Sequence, residues 1–548
     1  MPGSTEIQTL SFIGLISDIK SGKIRIPEFQ RDYIWSPDQI VDLLDSVYHG
    51  YPVGSVLIWK TTDRLNERNP LGLTTTTQRS SETQYLLDGQ QRLISLYAIL
   101  HNNLNQSSRL AKYIFYFNLK DGKFYFYKKT DLNTVREKPK IEDNFVAMPD
   151  LLEINYQNRS SSPKAQLITK FSGQPKQLQT FIGLANQFSN LEFPTILTSQ
   201  DLPVACKIFE RLNNTGTQLT IVDLMVAVTY NTTFNLRTKL NDLISSLESN
   251  NFAISEKSVL QCAAAINKKE INRESIIESR SNIASNWKKT TQAIRLSLDF
   301  VRDECSVISG DFLPYEIVLA PLSYFFYKKG NRRLNAQEIS KLKKYFWTSS
   351  LAERYIQGAN AKVVEDIKNI DTVLTNPSKK VFDDYYDNPA TTERIINAKT
   401  SGSSFTKAIL CFFAQKRPLE FSNSQLVNLM PTFANVNLKQ LHHIFPVNFI
   451  ETNLSNSTNY EKNIEPYINS IANIALITAS GNNAIRDRAP SVYFNDFLRA
   501  NSNLTTALHS HFIDDLASFG ITQDNFETFL KMRSQKIADE VTTFVQTL

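Results

Sequence analysis

QYLLDGQQRLISLYAIL, residues Gln84 to Leu100, packs a strand signal, a turn and a helix signal into one short run. Tyr85, Leu86 and Leu87 form the continuous apolar stretch of a buried strand. From Gln91 onward Leu93, Leu96, Ile99 and Leu100 recur at helical spacing. Between the two lies a cluster of acid, amides and arginine. Gly89 lets backbone approach a ligand closely, and a helix start collects anions. Arg92 can pair with phosphate oxygens, and Gln90 and Gln91 can orient a phosphate or a water. Asp88 can hold a Mg ion or a proton-bearing group. No GxxxxGK[ST] sequence occurs, so a P-loop is excluded as the source of such chemistry.

Upstream, WSPDQIVDLLDSVYHG (Trp35 to Gly50) predicts a helix. Ser36 caps it, Pro37 suits the first helical position, Gln39 completes a capping box and Gly50 ends it. Val53 to Lys60 (VGSVLIWK) predicts a strand, and the TTTT of Thr74 to Thr77 a loop. Tyr113 to Leu119 and Lys123 to Lys128, joined through Asp121 and Gly122, predict a hairpin. Further on, VACKIFERLNNTGTQLTIVDLMVA (Val204 to Ala227) predicts helix, Asn/Gly turn and helix, with Thr220 and Asp223 in capping-box spacing. The first region is therefore mixed α/β.

With 548 residues the chain is longer than one core normally organises, so several domains are expected. Hydrophobic residues at 41% and aromatics at 11% exclude wholesale disorder. A net charge of +6 is compatible with a polyanionic partner without requiring one. Cys206, Cys262, Cys305 and Cys411 are widely separated in apolar surroundings, which argues against a disulfide framework and fits a reducing cytoplasm. No apolar run approaches the ~20 residues of a membrane span, so no membrane partner is expected.

From about Asn231 to Lys416 helical periodicity dominates. Lys288 and Lys289, Arg332 and Arg333, and Lys341, Lys343 and Lys344 form basic clusters, read first as solvated helix faces. Near the C-terminus LKQLHHIFP places two of the six histidines side by side. IANIALIT (Ile471 to Thr478) then predicts a second strand that runs into GNNAIRD as a helix entry. A hairpin followed by a helix can hold one divalent cation between strand and helix, leaving a neighbouring imidazole to activate water.

Taken together, HHIFP, NIALIT and NNAIRDRAP resemble the HNH nuclease superfamily, in the variant that closes GmrSD-type restriction proteins. Ile26 to Lys60, LLDGQQRL and FERLNNTGTQL, in that order, resemble the ParB/sulfiredoxin-like domain that opens the same proteins. The resemblance to GmrSD/SspE-like modification-dependent restriction proteins implies a multidomain α+β chain. Its parts would be a sensor domain at 1–230, a helical middle domain at 231–425 and an HNH (ββα-metal) domain embedded in helices at 426–548.

By position it implies His443 as general base, His442 as metal ligand, Asn473 as the residue fixing the loop or base, and Asn483 as second ligand, with Asn482 a rival. His442 stands where the family usually has Asp or Glu; imidazole binds Mn, Ni or Zn as well as accompanying Mg. Asp88, Gly89, Gln90, Gln91 and Arg92 are implied to bind and hydrolyse a nucleoside triphosphate (GTP, ATP or UTP). Arg31 in FQRDYIW and Asn213 in RLNNTG are further candidates for contacts to nucleotide or DNA, or for a buried polar network. The implied protein is a cytoplasmic anti-phage DNA endonuclease acting on double-stranded, modified or phage DNA, with a second copy or other defence proteins as compatible partners. The alternative is a nucleotide-regulated DNA-binding or regulatory NTPase that does not cleave.

Overall fold

The structure, a computed structural model, describes residues 4–27, 35–65, 67–68, 82–101, 112–128, 144–151, 162–212, 220–229, 233–330, 332–399, 402–429, 441–454 and 467–548. Arg31 and Asn213, and the TTTT segment, lie outside the described residues. Contacts divide the chain into two compact units, Met1–Phe234 and Asn235–Leu548.

The first unit is built on a six-stranded mixed sheet of order β1-β9-β3-β5-β2-β4. Its strands are β1 (Thr5–Ser11), β2 (Ile24–Pro27), β3 (Val56–Thr61), β4 (Glu67–Arg68), β5 (Thr83–Asp88) and β9 (Glu192–Thr198). β3 runs antiparallel to β5 and parallel to β9. A smaller antiparallel sheet holds β6 (Tyr113–Asn118) between β7 (Lys123–Lys128) and β8 (Phe145–Ala147). The β6–β7 turn is made as its residues dictate. Asp121 accepts the Lys123 backbone N–H at 3.0 Å, and Gly122 takes φ +70°.

Helix α1 (Phe12–Lys20) precedes β2, and α2 (Pro37–Tyr48) follows it. In α2, Ser36 Oγ accepts the Gln39 N–H at 3.3 Å and Gln39 Oε1 accepts the Ser36 N–H at 2.9 Å, a complete capping box. Its Ile40, Leu43, Leu44 and Val47 are buried, the spacing of one helix face. Helix α3 (Gln90–His101) starts directly after the β5 turn and buries nearly every residue, so hydrophobic burial holds it from all sides. β3 begins later than its sequence predicts. Val53 and Ser55 instead turn their carbonyls toward the Arg92 guanidinium, each accepting at 2.7 Å.

Among its described residues the second unit is helical, with one small hairpin. Segments 231–425 and 426–548, expected as separate domains, share a core within it. Trp347 sits edge-on to Phe544 at 5.2 Å, and Phe412 meets Phe544 at 5.3 Å and Phe512 at 5.6 Å. A buried polar knot also stabilises this unit. Asp366 is fully buried and accepts hydroxyls of Tyr355 at 2.5 Å and Tyr385 at 2.6 Å, while Arg354 Nε donates to it at 3.1 Å. Every oxygen of that carboxylate is satisfied, the condition under which a buried charge is tolerated.

Candidate functional site

At the end of β5, Asp88 lies opposite Leu57, where the ladder with β3 shifts register. Gly89 follows with φ +96°, a conformation side chains disfavour, and a β-carbon there would stand 3.0 Å from Val56 Cγ2. Gln90 is 3% exposed and its Oε1 has no hydrogen-bond partner among the described residues. A buried acceptor left unpaired costs about 1–3 kcal/mol. Arg92, expected to be available to phosphate, is held instead by Val53 O, Ser55 O and Asp88 Oδ2, the last at 2.9 Å. Gly54 (φ +81°) leaves room for that guanidinium; a β-carbon there would overlap Nη1. The Val53–Ser55 segment also lines a groove of about 560 Å³ together with Tyr51, Asn190 and Glu192.

In the second unit, strand β10 (His442–His443) pairs antiparallel with β11 (Ile474–Ala475), His442 opposite Ala475 and His443 opposite Ile474. Helix α4 (Ala479–Ile485) starts four residues after β11 and carries Asn482, half-buried, and Asn483, exposed. Its cap is Thr478, whose Oγ1 accepts the Gly481 N–H at 3.1 Å while Glu420 Oε1 accepts the Thr478 N–H at 2.8 Å.

The predicted strand from Ile471 is mostly a turn: Ile471–Asn473 is 3-10 helix and only two residues pair. Asn473 is fully buried. Its Oδ1 accepts the Phe445 N–H at 2.8 Å and its Nδ2 donates to Phe445 O and Ile468 O, both at 3.0 Å. One amide thus ties the segment after the histidines to the segment before β11.

Both histidines are half-buried. Burial lowers the His442 imidazole below its ordinary pKa, and the adjacent His443 adds to the effect. Burial also lowers His443, opposed by a hydrogen bond with Asn469, whose Oδ1 lies 3.1 Å from Nε2. Neutral imidazole is the form that binds a cation or accepts a proton.

Four residues that sequence reasoning missed build this arrangement: Asn469, Glu420, Tyr493 and Arg533. Tyr493 donates to Ile444 O at 2.6 Å. Arg533 donates to Ala472 O at 2.6 Å and Ile474 O at 2.7 Å. A signal for Arg533 was present, because it falls on the apolar face shared by Phe529, Leu530 and Ile537. Three of the seven residues in the basic clusters of the helical segment have partners among the described residues. Lys343 pairs with Glu304 at 3.6 Å, Lys344 pairs with Asp383, and Lys289 lies 4.0 Å from the Tyr327 ring centre.

Residues 12–230 match the family of the GmrSD restriction endonuclease, N-terminal domain. The GmrSD-like region coincides closely with the first compact unit and contains the Asp88–Arg92 turn. An uncharacterized protein of Methanocaldococcus jannaschii is 23% identical, over 97% of this chain and 98% of its own length, so that similarity runs through both units. Among the described residues no helix is long and apolar enough to cross a membrane.

Proposed function

We propose that the chain is a restriction-type anti-phage DNA endonuclease in which the GmrSD-like region binds and turns over a nucleoside triphosphate and the β10–β11–α4 unit cuts DNA. The observation that carries this reading is the short hairpin that bears His442 and His443, held by the buried Asn473, with the helix that carries Asn482 and Asn483 beginning four residues after its second strand. The match of residues 12–230 to a restriction endonuclease domain supports the biological role.

In this reading the neutral His443 takes a proton from water as it attacks a phosphodiester, and Asn473 holds the turn that fixes the histidine strand. His442 and Asn483 would hold a divalent ion, with Asn482 the rival donor. When bound, that ion supplies charge stabilisation at the phosphate and leaving oxygen. The donor chemistry fits: a neutral, partly buried imidazole and an exposed amide oxygen suit an ion, Mg, Mn, Ni or Zn, that keeps waters and phosphate oxygens in its sphere. Among the described residues no group of three or more His, Cys, Asp and Glu side chains comes together; the two proposed donors would leave the remaining positions of the ion to water and phosphate oxygens.

At the other end of the chain, the buried unpaired Gln90 Oε1 and the N-terminus of α3 offer contacts to a triphosphate. Arg92 is already held by the Val53–Ser55 segment, so a ligand that recruits it must release that segment. This gives nucleotide state a route to rearranging the region.

His442 in the place of an acid favours one second reading, a nucleotide-regulated DNA-binding protein that does not cut. Plasmid DNA incubated with the protein, a triphosphate and Mg or Mn separates the two. The nuclease reading expects supercoiled DNA to become nicked or linear only with the divalent ion. Phosphate release and DNA binding with intact plasmid would favour the second reading.

A further inference from the structure

A side chain outside the HHIFP, NIALIT and NNAIRDRAP segments reaches the His443 ring. We propose that Asn469 is a positioning residue for His443, accepting the Nε2 proton so that Nδ1 presents its lone pair as the base. The inference rests on the nuclease reading and adds to it the residue that sets which nitrogen acts.

The geometry is a hydrogen bond of 3.1 Å between Asn469 Oδ1 and His443 Nε2, across 26 residues of chain. An amide oxygen only accepts, so the ring nitrogen facing it must carry the hydrogen, and the other nitrogen is left as acceptor. Asn469 is exposed, yet its backbone is fixed on both sides. Ile468 O is held by the Asn473 amide at 3.0 Å. Ser470 is fully buried, bridges to Lys399, and donates from Oγ to Ile395 O at 3.4 Å. Ile471 N then donates to Ala398 O at 2.7 Å. An exposed side chain on so constrained a backbone contributes little to stability, but it presents its oxygen at a set place. The same pinned segment leads into β11, whose Ile474 pairs with His443 itself, so ring and acceptor share one frame.

The test uses the full-length protein labelled with 15N-histidine, together with plasmid cleavage kinetics in Mg or Mn. In the parent, the two-bond proton–nitrogen pattern of His443 should be that of the Nε2–H tautomer, and Asn469→Ala should show a mixture. Asn469→Ala should cut plasmid ~10- to 100-fold more slowly in kcat with KM unchanged, the size seen when an orienting partner of a histidine is lost. Asn469→Asp, which keeps an acceptor in place, should recover most of that loss, and Asn469→Leu should not.

An Nδ1–H tautomer in the parent overturns the proposal. So does a parental kcat in Asn469→Ala while His443→Ala is inactive, a result that leaves the nuclease reading standing. Equal cutting by the parent and His443→Ala strikes the nuclease reading first and overturns this proposal with it.

Discussion

Arg533, fully buried on the C-terminal helix Phe526–Thr547, donates at 2.7 Å to the backbone carbonyl of Ile474, the residue that pairs with His443. Its other nitrogens reach Ala472 O at 2.6 Å and His511 O at 2.9 Å. Ring faces of Phe413 and Phe529 lie 5.4 and 5.9 Å away. Burial pulls the guanidinium pKa down to about 9, which still leaves it charged near neutrality. A cation is thus neutralised by carbonyl dipoles and aromatic faces, and in return fixes both sides of Asn473.

Replacing it as Arg533→Met leaves three buried carbonyls unpaired, at a cost of at least about 3 kcal/mol. Arg533→Lys should fare little better, since an ammonium lacks the planar fork that spans three acceptors. Thermal midpoint and plasmid cleavage should fall together in both variants, while triphosphate turnover by the first unit persists. An unchanged midpoint would contradict the bracing role.

Gln90 illustrates the opposite balance. Its buried Oε1 has no partner among the described residues, a cost to stability that a bound triphosphate would offset in the proposed reading. Gln90→Leu is expected to keep the thermal midpoint within the shift of about 1 kcal/mol, yet to reduce phosphate release from triphosphate at least tenfold. Parental turnover in that variant would remove Gln90 from the site.

Gly54 is required by its φ of +81° and by the Arg92 guanidinium that a β-carbon would overlap. Gly54→Ala should cost about 1–3 kcal/mol through backbone strain and displacement of Arg92. Triphosphate turnover should also drop, because the Val53 and Ser55 carbonyls lose their shared donor. A stability loss with turnover intact would separate the segment from the nucleotide turn.

Acid stability should report on His511. This ring is 2% exposed, its Nε2 donates to Leu419 O at 2.9 Å, and burial, aided by the nearby Arg533 charge, pulls its pKa to about 3. An unfolded histidine titrates at ~6.5, so below that pH the unfolded chain binds a proton that the folded one refuses. The contribution is fully present above about pH 6.5 and is lost as pH falls toward 3, by up to ~1.4 kcal/mol per pH unit. Between pH 7 and 5 the thermal midpoint of His511→Gln should therefore fall less than the parent's; an equal fall would show that other groups dominate.

Helix α2 was legible in the sequence because its determinants are local: Ser36, Pro37, Gln39 and Gly50 lie within one segment. The Gly89 junction and the β6–β7 turn were legible for the same reason. What the sequence concealed depends on distant partners. Val53 to Ser55 read as strand, and only Arg92, 37 to 39 residues away, shows why they are not. Ile471 to Asn473 read as strand until Arg533 and the Asn473 side chain claim their polar groups. The shared core of the second unit rests on contacts such as Trp347 with Phe544, about 200 residues apart, which no local pattern in either segment announces. Asn469 carries no periodicity or motif; it acquires meaning only from the ring nitrogen it faces.

The central claim is that His443 is the base of a DNA-cutting site, and a single substitution addresses it. Parent and His443→Ala, matched in thermal midpoint, are incubated with supercoiled plasmid, triphosphate and Mg or Mn. The account predicts nicked or linear product from the parent and at least a hundredfold less from His443→Ala, in the range that loss of a positioned base produces (~10²–10⁴). Equal cleavage by the two proteins would contradict it.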